Sequence, residues 1–394
     1  MIDKPLLIAV MTLLTLSLIM NYSLSVYAVS NLGYGDFHFF IRQSIAIVIG
    51  FISMIILSKI NSDKWFPTIG MFIFFFFAIA IIVMQFLPAS LVNEVGGAKR
   101  WIDLGPMSIA PVEFFKVGFI FFISWSFSRK FSDKDKMSYL DEVMAFAPYI
   151  VLFFLFVVVI AVFQKDLGQV FVLGATLVVL ILFVGSSFKF FLTLIIAAFA
   201  AVAALILAAP HRIARIKSWW GTVQNDILSL LPFEYVPDSF RVEAVKEPWQ
   251  ISNSLNAMHS GDMFGVGLGN GQFKLGYLSE VHTDFILAGL TEELGFVGLV
   301  FVTFVMAFIL FRIFVIASKV PCRVEYLFTL GMGMVIFISF LLNAYGISGI
   351  TPIKGIAVPF LSYGGSHILA SCIAIGMILM ISKNVPRDMY GKIL

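Results

Sequence analysis

The chain contains 394 residues, of which 60% are hydrophobic and only 12% are charged, and its mean hydropathy is +1.00. An average soluble domain is about one quarter charged, and surface charge is what keeps such a domain in solution. The composition therefore excludes a soluble enzyme, a disordered chain and a disulfide-stapled secreted domain. The formal net charge of +3 is too small to indicate binding to nucleic acid.

Apolar stretches of the length that crosses a bilayer, about 20 residues, recur along the whole sequence. They predict an all-α integral membrane protein that forms one polytopic domain over residues 1–394. The ten predicted spans are residues 6–29, 41–57, 67–87, 111–127, 146–163, 167–184, 190–209, 285–317, 326–345 and 356–381. The first is too long for the core of a signal peptide and lacks a basic start, which favours a retained helix.

Lysine and arginine in the short connections predict the side of the membrane on which each connection lies. With a cytoplasmic N-terminus, the short outer connections hold only Arg42, Lys99, Arg100, Lys165 and Lys354. Both termini are therefore predicted to be cytoplasmic, and the long loop of residues 210–283 is predicted to be extracytoplasmic. Its tryptophans and glycine-rich run indicate an interfacial re-entrant or amphipathic segment.

Ionisable residues at the membrane boundary are costly, so their positions point to function. They form clusters at the predicted outer ends of the spans, within residues 96–116, 164–168, 280–295 and 351–366. Glu113 and Lys116 share one helix face, either as a self-neutralising pair or as the polar wall of a cavity. Asp166 and Asp284 either cap the helices that follow them or face such a cavity.

The last two clusters contain further polar groups within apolar sequence. Glu292 and Glu293 are adjacent carboxylates deeper along a predicted helix, and their need for partners or water suggests a hydrated cavity. Residues 351–366 combine proline, hydroxyl and glycine residues. This pattern is typical either of a broken helix that lines a cavity or of close helix packing through Gly364 and Gly365.

Several common motifs are missing from the sequence. The glycine-rich run of residues 265–271 precedes no strand–helix dinucleotide unit, and there is no Walker sequence. The five histidines have no metal-ligand spacing.

The four clusters, in this order, resemble the motifs of the SEDS family of bacterial cell-wall proteins, whose members include FtsW and RodA. The matching segments are residues 97–102, 111–116, 165–168, 265–271, 280–286, 292–295 and 359–366. The Gly-Leu-Gly-Asn-Gly run and the Ser-Tyr-Gly-Gly-Ser segment are more similar to the septal member, FtsW, than to the elongation member, RodA. Lys165 and Ser279 depart from the family pattern, which usually has proline at both places, and Val112 and Phe114 also differ.

The resemblance implies the SEDS fold and a peptidoglycan glycosyltransferase that polymerises lipid II during septal cell-wall synthesis. It also implies a class B penicillin-binding protein and other divisome membrane proteins as partners. The expected location is the bacterial inner membrane at the division septum, in contact with membrane lipid. Three alternatives stay open: an elongation-type polymerase with the same chemistry, a lipid II flippase, and a non-catalytic scaffold for the crosslinking enzyme.

The resemblance also suggests roles for individual residues, with Asp284 as the general base. The expected substrate-binding residues are Arg42, Arg100, Trp101, Glu113, Lys116, Asp166, His282, Glu292, Lys354 and Ser362. Arg100, Lys116 and Arg42 would hold the pyrophosphate, Trp101 would position lipid or sugar, and Glu113 would orient Lys116. No protein metal site is legible, although a divalent cation, Mg²⁺ or Mn²⁺, could assist the leaving group.

Overall fold

The computed structural model describes residues 2–88, 90–95, 97–103, 105, 108–131, 138–208, 210–229, 249–352 and 355–386. Within these ranges, eight helices are long and apolar enough to cross a membrane. They are α1 (Lys4–Leu24), α3 (His38–Lys59), α4 (Ser62–Val83), α6 with a π-helical end (Tyr139–Phe163), α8 (Phe188–Leu207), α11 (Ile286–Lys319), α12 (Arg323–Ile347) and α13 with a 3₁₀ end (Gly365–Asn384).

Two further helices occupy the remaining predicted spans. The helix α5 (Pro111–Lys130) has 20 residues, including charged residues at both ends, and α7 (Leu167–Phe183) is apolar with 17 residues. Each of the ten predicted spans therefore contains a helix, and the prediction of an all-α membrane protein is confirmed.

The first and last spans end or begin at different residues from those predicted. The helix α1 stops at Leu24, and a short helix, α2 (Val26–Leu32), follows a break at Ser25. The last helix begins at Gly365, so residues 356–364 of the predicted span are not helical. The helix is predicted there from apolar composition, and a buried non-helical segment has the same composition as a membrane-spanning helix.

The helices at the centre of the bundle are α5, α12 and α13. Most of α5 is buried, and Gly118 lets it approach α4 closely, since a Cβ atom there would lie 2.5 Å from the backbone of Phe74. The helix α8 is the opposite case, because Phe190 is its only buried residue. The polar cavity described below lies at one end of this bundle.

The start of α1 and the end of the last helix lie together at the other end of the bundle. The backbone N–H of Asp3 donates to Ser382 Oγ (3.1 Å), and Arg312 near the end of α11 forms an ion pair with Asp3 (2.5 Å). Since α11 begins at the cavity end, Asp3 and Ser382 lie at the opposite end of the bundle from the cavity.

The cavity end also carries the structure outside the ten spans. A small antiparallel sheet contains β1 (Val92–Val95), β2 (Ala98–Asp103) and β3 (Ser108–Ile109) in that order. The long loop contains the amphipathic helix α9 (Pro210–Ser229) and the helix α10 (Trp249–Gly261), which packs along α11.

The segment that follows α10 reverses direction beside a kink in α11, to which it is hydrogen bonded. Gly295 in the kink has φ +72°, and the backbone groups released there pair with the loop: Phe296 N–H donates to Asp262 O (2.8 Å), and Gly267 N–H donates to Glu293 O (3.0 Å). Gly265 must lack a side chain, because a Cβ atom would lie 2.2 Å from Glu293 O. The loop thus folds down beside α11 and returns to Asp284, as a re-entrant segment does.

Candidate functional site

A cavity of about 550 Å³ opens at the end of the bundle where α11 begins. Its walls come from β2, the start of α7, the end of α8, α9 and the segment before α11. Its ionisable lining residues are Arg100, Lys165, Asp166, Arg212, Glu280 and Asp284. The structure therefore brings three of the predicted site residues, Arg100, Asp166 and Asp284, around one space.

Asp284 lies in the turn that leads into α11. The backbone N–H of Asp284 donates to Glu280 O (3.1 Å), and Asn343 Nδ2 donates to the carbonyl of Asp284 (2.7 Å). Glu280 has φ +57°, an uncommon conformation for a residue other than glycine. The N-cap of α11 is Phe285, so the alternative of Asp284 as a helix cap does not hold. Its carboxylate faces the cavity instead.

The surroundings of Asp284 favour the protonated carboxyl more than water does. Burial is the largest cause, followed by the negative charges of Glu280 and Asp166, whereas Arg100 acts in the opposite direction. Together they raise the pKa of Asp284 from 3.8 to about 6. A carboxylate with this pKa is mostly ionised at neutral pH and is a stronger base than an exposed aspartate, which suits general base chemistry.

Arg100 and Asp166 meet at a wide turn between α6 and α7. The α6 helix ends in a π-helix, Val159–Phe163, and the backbone N–H of Asp166 donates to Ile160 O (3.0 Å). Arg100 Nε donates to Gln164 O (2.7 Å), and its Nη2 donates to Lys165 O (3.2 Å). Asp166 caps α7 by accepting from Gln169 N–H (3.2 Å), so both interpretations of this residue hold, and burial raises its pKa.

A buried charge cluster lies behind this wall of the cavity. Glu113 pairs with Lys116 and with His367 Nδ1, each at 2.9 Å, and Gln169 Nε2 donates to Glu113 Oε1 (2.9 Å). Gln169 thus connects the cluster to Asp166. Glu113 and Lys116 form an ion pair, and neither side chain lines the cavity.

The helix α9 adds a residue that the sequence did not suggest. Arg212 lines the cavity, and its guanidinium donates to Leu205 O (2.6 Å) and Ala161 O (2.9 Å). Trp219 lines the same cavity and donates to Gly349 O (2.8 Å). Arg212 lies in a part of the long loop that contains no recognisable motif. Its place in the site is therefore evident only from its contacts in the folded structure.

Comparison with known proteins gives the family. Residues 4–386 match the family model for FtsW, RodA and SpoVE, described as "Cell cycle protein". The chain belongs to this family, the SEDS proteins. It is 45% identical to the probable peptidoglycan glycosyltransferase FtsW of Helicobacter pylori (strain ATCC 700392 / 26695), over 97% of this chain and 98% of that protein. It is 31% identical to the stage V sporulation protein E of Bacillus subtilis (strain 168), over 97% of each chain.

Solved structures agree on the fold. A chain of a peptidoglycan synthase complex, described as showing coordination of polymerization and crosslinking, superposes with a TM-score of 0.70 and 20% identity, over 98% of this chain and 99% of that chain. The rod shape determining protein RodA of Thermus thermophilus superposes with a TM-score of 0.65 and 19% identity, over 98% of each chain. The SEDS fold is therefore confirmed.

Other residues of the SEDS motifs lie near the cavity without lining it. His282 is buried against the ring of Phe39 (centroids 4.9 Å apart), and burial lowers its pKa. Ser362 Oγ donates to Thr283 O (2.7 Å) and accepts from Val358 N–H (2.8 Å). These contacts hold in place the two residues that directly precede Asp284.

Glu292 and Glu293 each have partners within the protein. Glu292 Oε1 accepts from the backbone N–H groups of Gln272 (2.5 Å) and Phe273 (3.1 Å). Glu293 pairs with the buried Lys274 at 2.7 Å. The structure therefore places Glu292 at the base of the glycine-rich loop, outside the cavity.

The remaining predicted site residues are spread more widely. Arg42 is exposed on α3, and Trp101 lies in β2 opposite Asn93, and neither belongs to the cavity lining. Lys354 lies outside the described residues. In the described part of the chain, no group of three or more His, Cys, Asp or Glu side chains is arranged to hold a metal ion.

Proposed function

We propose that this protein is a septal peptidoglycan glycosyltransferase that polymerises lipid II. The observation that carries the proposal is the position of the Asp284 carboxylate and the Arg100 guanidinium in one outward-facing cavity. The relatives named as probable peptidoglycan glycosyltransferases support the same chemistry, and their FtsW name favours the septal role over the elongation role.

The reaction needs a base and a positively charged site at a short distance from each other. The 4-hydroxyl oxygen of the acceptor sugar bonds to the anomeric carbon of the donor, and the bond from that carbon to the pyrophosphate oxygen breaks. Asp284 takes the hydroxyl proton, and the pyrophosphate leaves with the bonding electrons. Arg100 stabilises the negative charge that develops on the leaving group.

The lipid carrier needs a path from the bilayer to this cavity. The helix α8 contributes Ile206 to the cavity lining, and it is otherwise almost unburied by protein. The polyprenyl chain would lie along α8 in the bilayer while the sugar and diphosphate enter the cavity. Contact with membrane lipid is therefore part of substrate binding.

The cavity is proposed to face the extracytoplasmic side, with both termini in the cytoplasm. Both termini lie at one end of the bundle. The same end carries Arg129 and Lys130 at the close of α5, and Lys319 at the close of α11. Basic residues at one end of a helical bundle favour the cytoplasmic side for that end.

The proposed partners are a class B penicillin-binding protein and other divisome membrane proteins. The similar chain from a peptidoglycan synthase complex, described in terms of polymerization and crosslinking, supports such a pairing. A transpeptidase crosslinks newly made glycan strands, so a polymerase bound beside it would supply its substrate directly.

A divalent cation, Mg²⁺ or Mn²⁺, is proposed as an assistant to the leaving group. Magnesium is often held by one or two carboxylates together with substrate phosphates, and Asp166 and Glu280 are carboxylates of this kind in the cavity lining. When bound, the ion would neutralise diphosphate charge. Loss of polymerisation in EDTA and its return on addition of Mg²⁺ or Mn²⁺ would support this role.

Reconstitution separates polymerisation from the alternatives. The protein and its transpeptidase partner, incorporated into vesicles with lipid II, should produce glycan polymer on gels. Translocation of labelled lipid II across the vesicle membrane without polymer would indicate a flippase instead. Activation of the transpeptidase without either event would indicate a scaffold. The septal and elongation roles are separated in cells: expression of this protein that restores elongation, rather than division, in cells that lack the corresponding polymerase would indicate the elongation role.

A further inference from the structure

The wide turn between α6 and α7 holds two arginines from distant parts of the sequence. Arg100 donates to the carbonyls of Gln164 and Lys165, as described above. Arg212 donates to Ala161 O in the π-helix of the same turn and to Leu205 O at the end of α8. Two guanidinium groups are thus bound to carbonyls only three to four residues apart in the chain.

Both guanidinium groups keep donors for a ligand. A guanidinium has five N–H donors, and each arginine uses two of its nitrogen atoms in the contacts given above. Neither has an ion-pair partner in the described part of the chain. Because both residues line the same cavity, their remaining donors are available to an anion there. The cavity also holds Asp166, Glu280 and Asp284, and Arg100 interacts electrostatically with Asp166 and Asp284, so an anion would bind on the arginine side of the cavity.

The other predicted pyrophosphate ligands are less suitable. Lys116 is buried, paired with Glu113 and outside the cavity lining. Arg42 lies on α3, also outside the lining. Arg212 therefore takes the place of these two predicted ligands, in a lining whose basic residues are Arg100, Lys165 and Arg212.

We propose that Arg100 and Arg212 together bind the diphosphate of the lipid-linked substrate, with Arg212 as a specificity-determining residue for diphosphate over monophosphate. The assignment rests on the proposed function for its substrate class. Two guanidinium forks suit the oxygen pairs of two adjacent phosphoryl groups. The carbonyl contacts fix both side chains before substrate arrives, which lowers the entropic cost of binding.

The test measures binding of farnesyl diphosphate and farnesyl monophosphate to the full-length protein in nanodiscs by calorimetry. Arg212→Gln keeps a polar side chain with N–H donors, but it has no positive charge. We expect this variant to bind farnesyl diphosphate about ten-fold or more weakly, since hydrogen bonds to charged groups are each worth a factor of that order. Its affinity for the monophosphate should change much less. Arg212→Lys should retain part of the preference.

Lys217→Gln is the matched control. Lys217 is exposed on α9, close to Arg212 in sequence and outside the cavity lining. Its removal should leave both affinities unchanged, whereas an equal loss in Lys217→Gln would show a general charge effect and would overturn the proposal.

Two further outcomes would overturn the proposal. In the first, Arg212→Gln binds farnesyl diphosphate with the wild-type affinity. In the second, the variant loses affinity for the diphosphate and the monophosphate equally, which would mean that Arg212 only anchors α9. The proposed function can fail separately. A wild-type protein that prefers the diphosphate through Arg212 but never polymerises lipid II would retain the arginine site and lose the glycosyltransferase assignment.

Discussion

Two groups of charged side chains in this molecule have opposite surroundings. Lys274 and Glu293 are buried 2.7 Å apart, and Ser23 donates to the Glu293 carboxylate. Asp284 and Arg100 line a cavity, and no described residue donates a hydrogen bond to the Asp284 carboxylate. The first group is satisfied within the protein, whereas the Asp284 carboxylate and the remaining N–H donors of Arg100 are left for a ligand.

The difference teaches how to separate structural charges from functional charges in a membrane protein. A buried charge with a complete set of partners holds two segments together, and its loss leaves the other charge unpaired. A partly buried charge without a protein partner has a perturbed pKa and is available for chemistry. The two groups should therefore respond to mutation in different measurements.

The largest expected effect on stability is at Lys274. Lys274→Met leaves the Glu293 carboxylate buried without its ion pair, and we expect the free energy of unfolding to fall by about 3–5 kcal/mol. Denaturant titration of the detergent-solubilised protein, followed by tryptophan fluorescence, measures this change. The double variant Lys274→Met/Glu293→Gln should recover part of the loss. A single variant as stable as the wild type would show that the pair does not hold the glycine-rich loop.

The next largest effect is expected at Gly355 beside the base. A Cβ atom at Gly355 would lie 2.9 Å from Asp284 Oδ2, and its φ is +63°. Gly355→Ala should lower polymerisation about 100-fold, since a small displacement of a reacting group has effects of this size. Gly33→Ala is the matched control, because Gly33 has φ +68° and a Cβ atom there would meet no other atom within 4 Å. Both variants should lose about 1–2 kcal/mol of stability from backbone strain, and equal activities would contradict the placement of Asp284.

The pH dependence of polymerisation should report the charges around Asp284. Since the base must be ionised, kcat/KM should rise with pH through about 6. Glu280→Gln removes a negative charge that raises the pKa of Asp284, so it should move this limb to lower pH. Asp166→Asn should move it in the same direction by less, in accordance with the order of the two causes. An unchanged limb, or a shift to higher pH, would exclude Asp284 as the titrating base.

The raised pKa of Asp284 also determines how the free energy of unfolding changes with pH. The pKa of Asp284 is about 6 in the folded state and 3.8 is its ordinary value. The folded state therefore holds the proton over a pH range in which the unfolded state has lost it. Its contribution to the free energy of unfolding should fall as pH rises through this range, and Asp284→Asn should remove that fall in denaturant titrations.

The smallest effect is expected at Ser362, which sequence similarity placed among the substrate-binding residues. Its hydroxyl connects Val358 N–H to Thr283 O. Ser362→Ala should reduce the free energy of unfolding by about 1 kcal/mol and leave the affinity for farnesyl diphosphate unchanged. A large loss of affinity with normal stability would return Ser362 to the binding site.

The sequence predicts the helices well, because only helices satisfy their backbone hydrogen bonds within the bilayer. It fails where protein rather than lipid surrounds an apolar segment. Residues 356–364 are mostly buried but not helical, and Asn343 Nδ2 donates to Ile356 O (2.7 Å) within the bundle. The proline, hydroxyl and glycine residues of the segment 351–366 allow a broken helix as one interpretation. The position at which the helix begins depends on contacts with distant side chains, which leave no local pattern.

The site is predictable only where its residues lie in local sequence motifs. Arg100, Asp166 and Asp284 lie in short motifs that resemble those of a known family. The partners of Glu292 and Glu293 come from the returning loop, and Arg212 reaches the cavity from a helix without a motif. Long-range pairing of this kind depends on the fold and is visible only once the chain is assembled.

The most direct test of the comparison measures polymerisation of lipid II by Asp284→Asn and by the wild type, each with the proposed transpeptidase partner. Asparagine keeps the size of the side chain and removes the base. We predict loss of glycan polymer by at least about 100-fold, with unfolding stability equal to or above that of the wild type. Polymer at the wild-type rate would contradict the assignment of the cavity carboxylate as the functional charge.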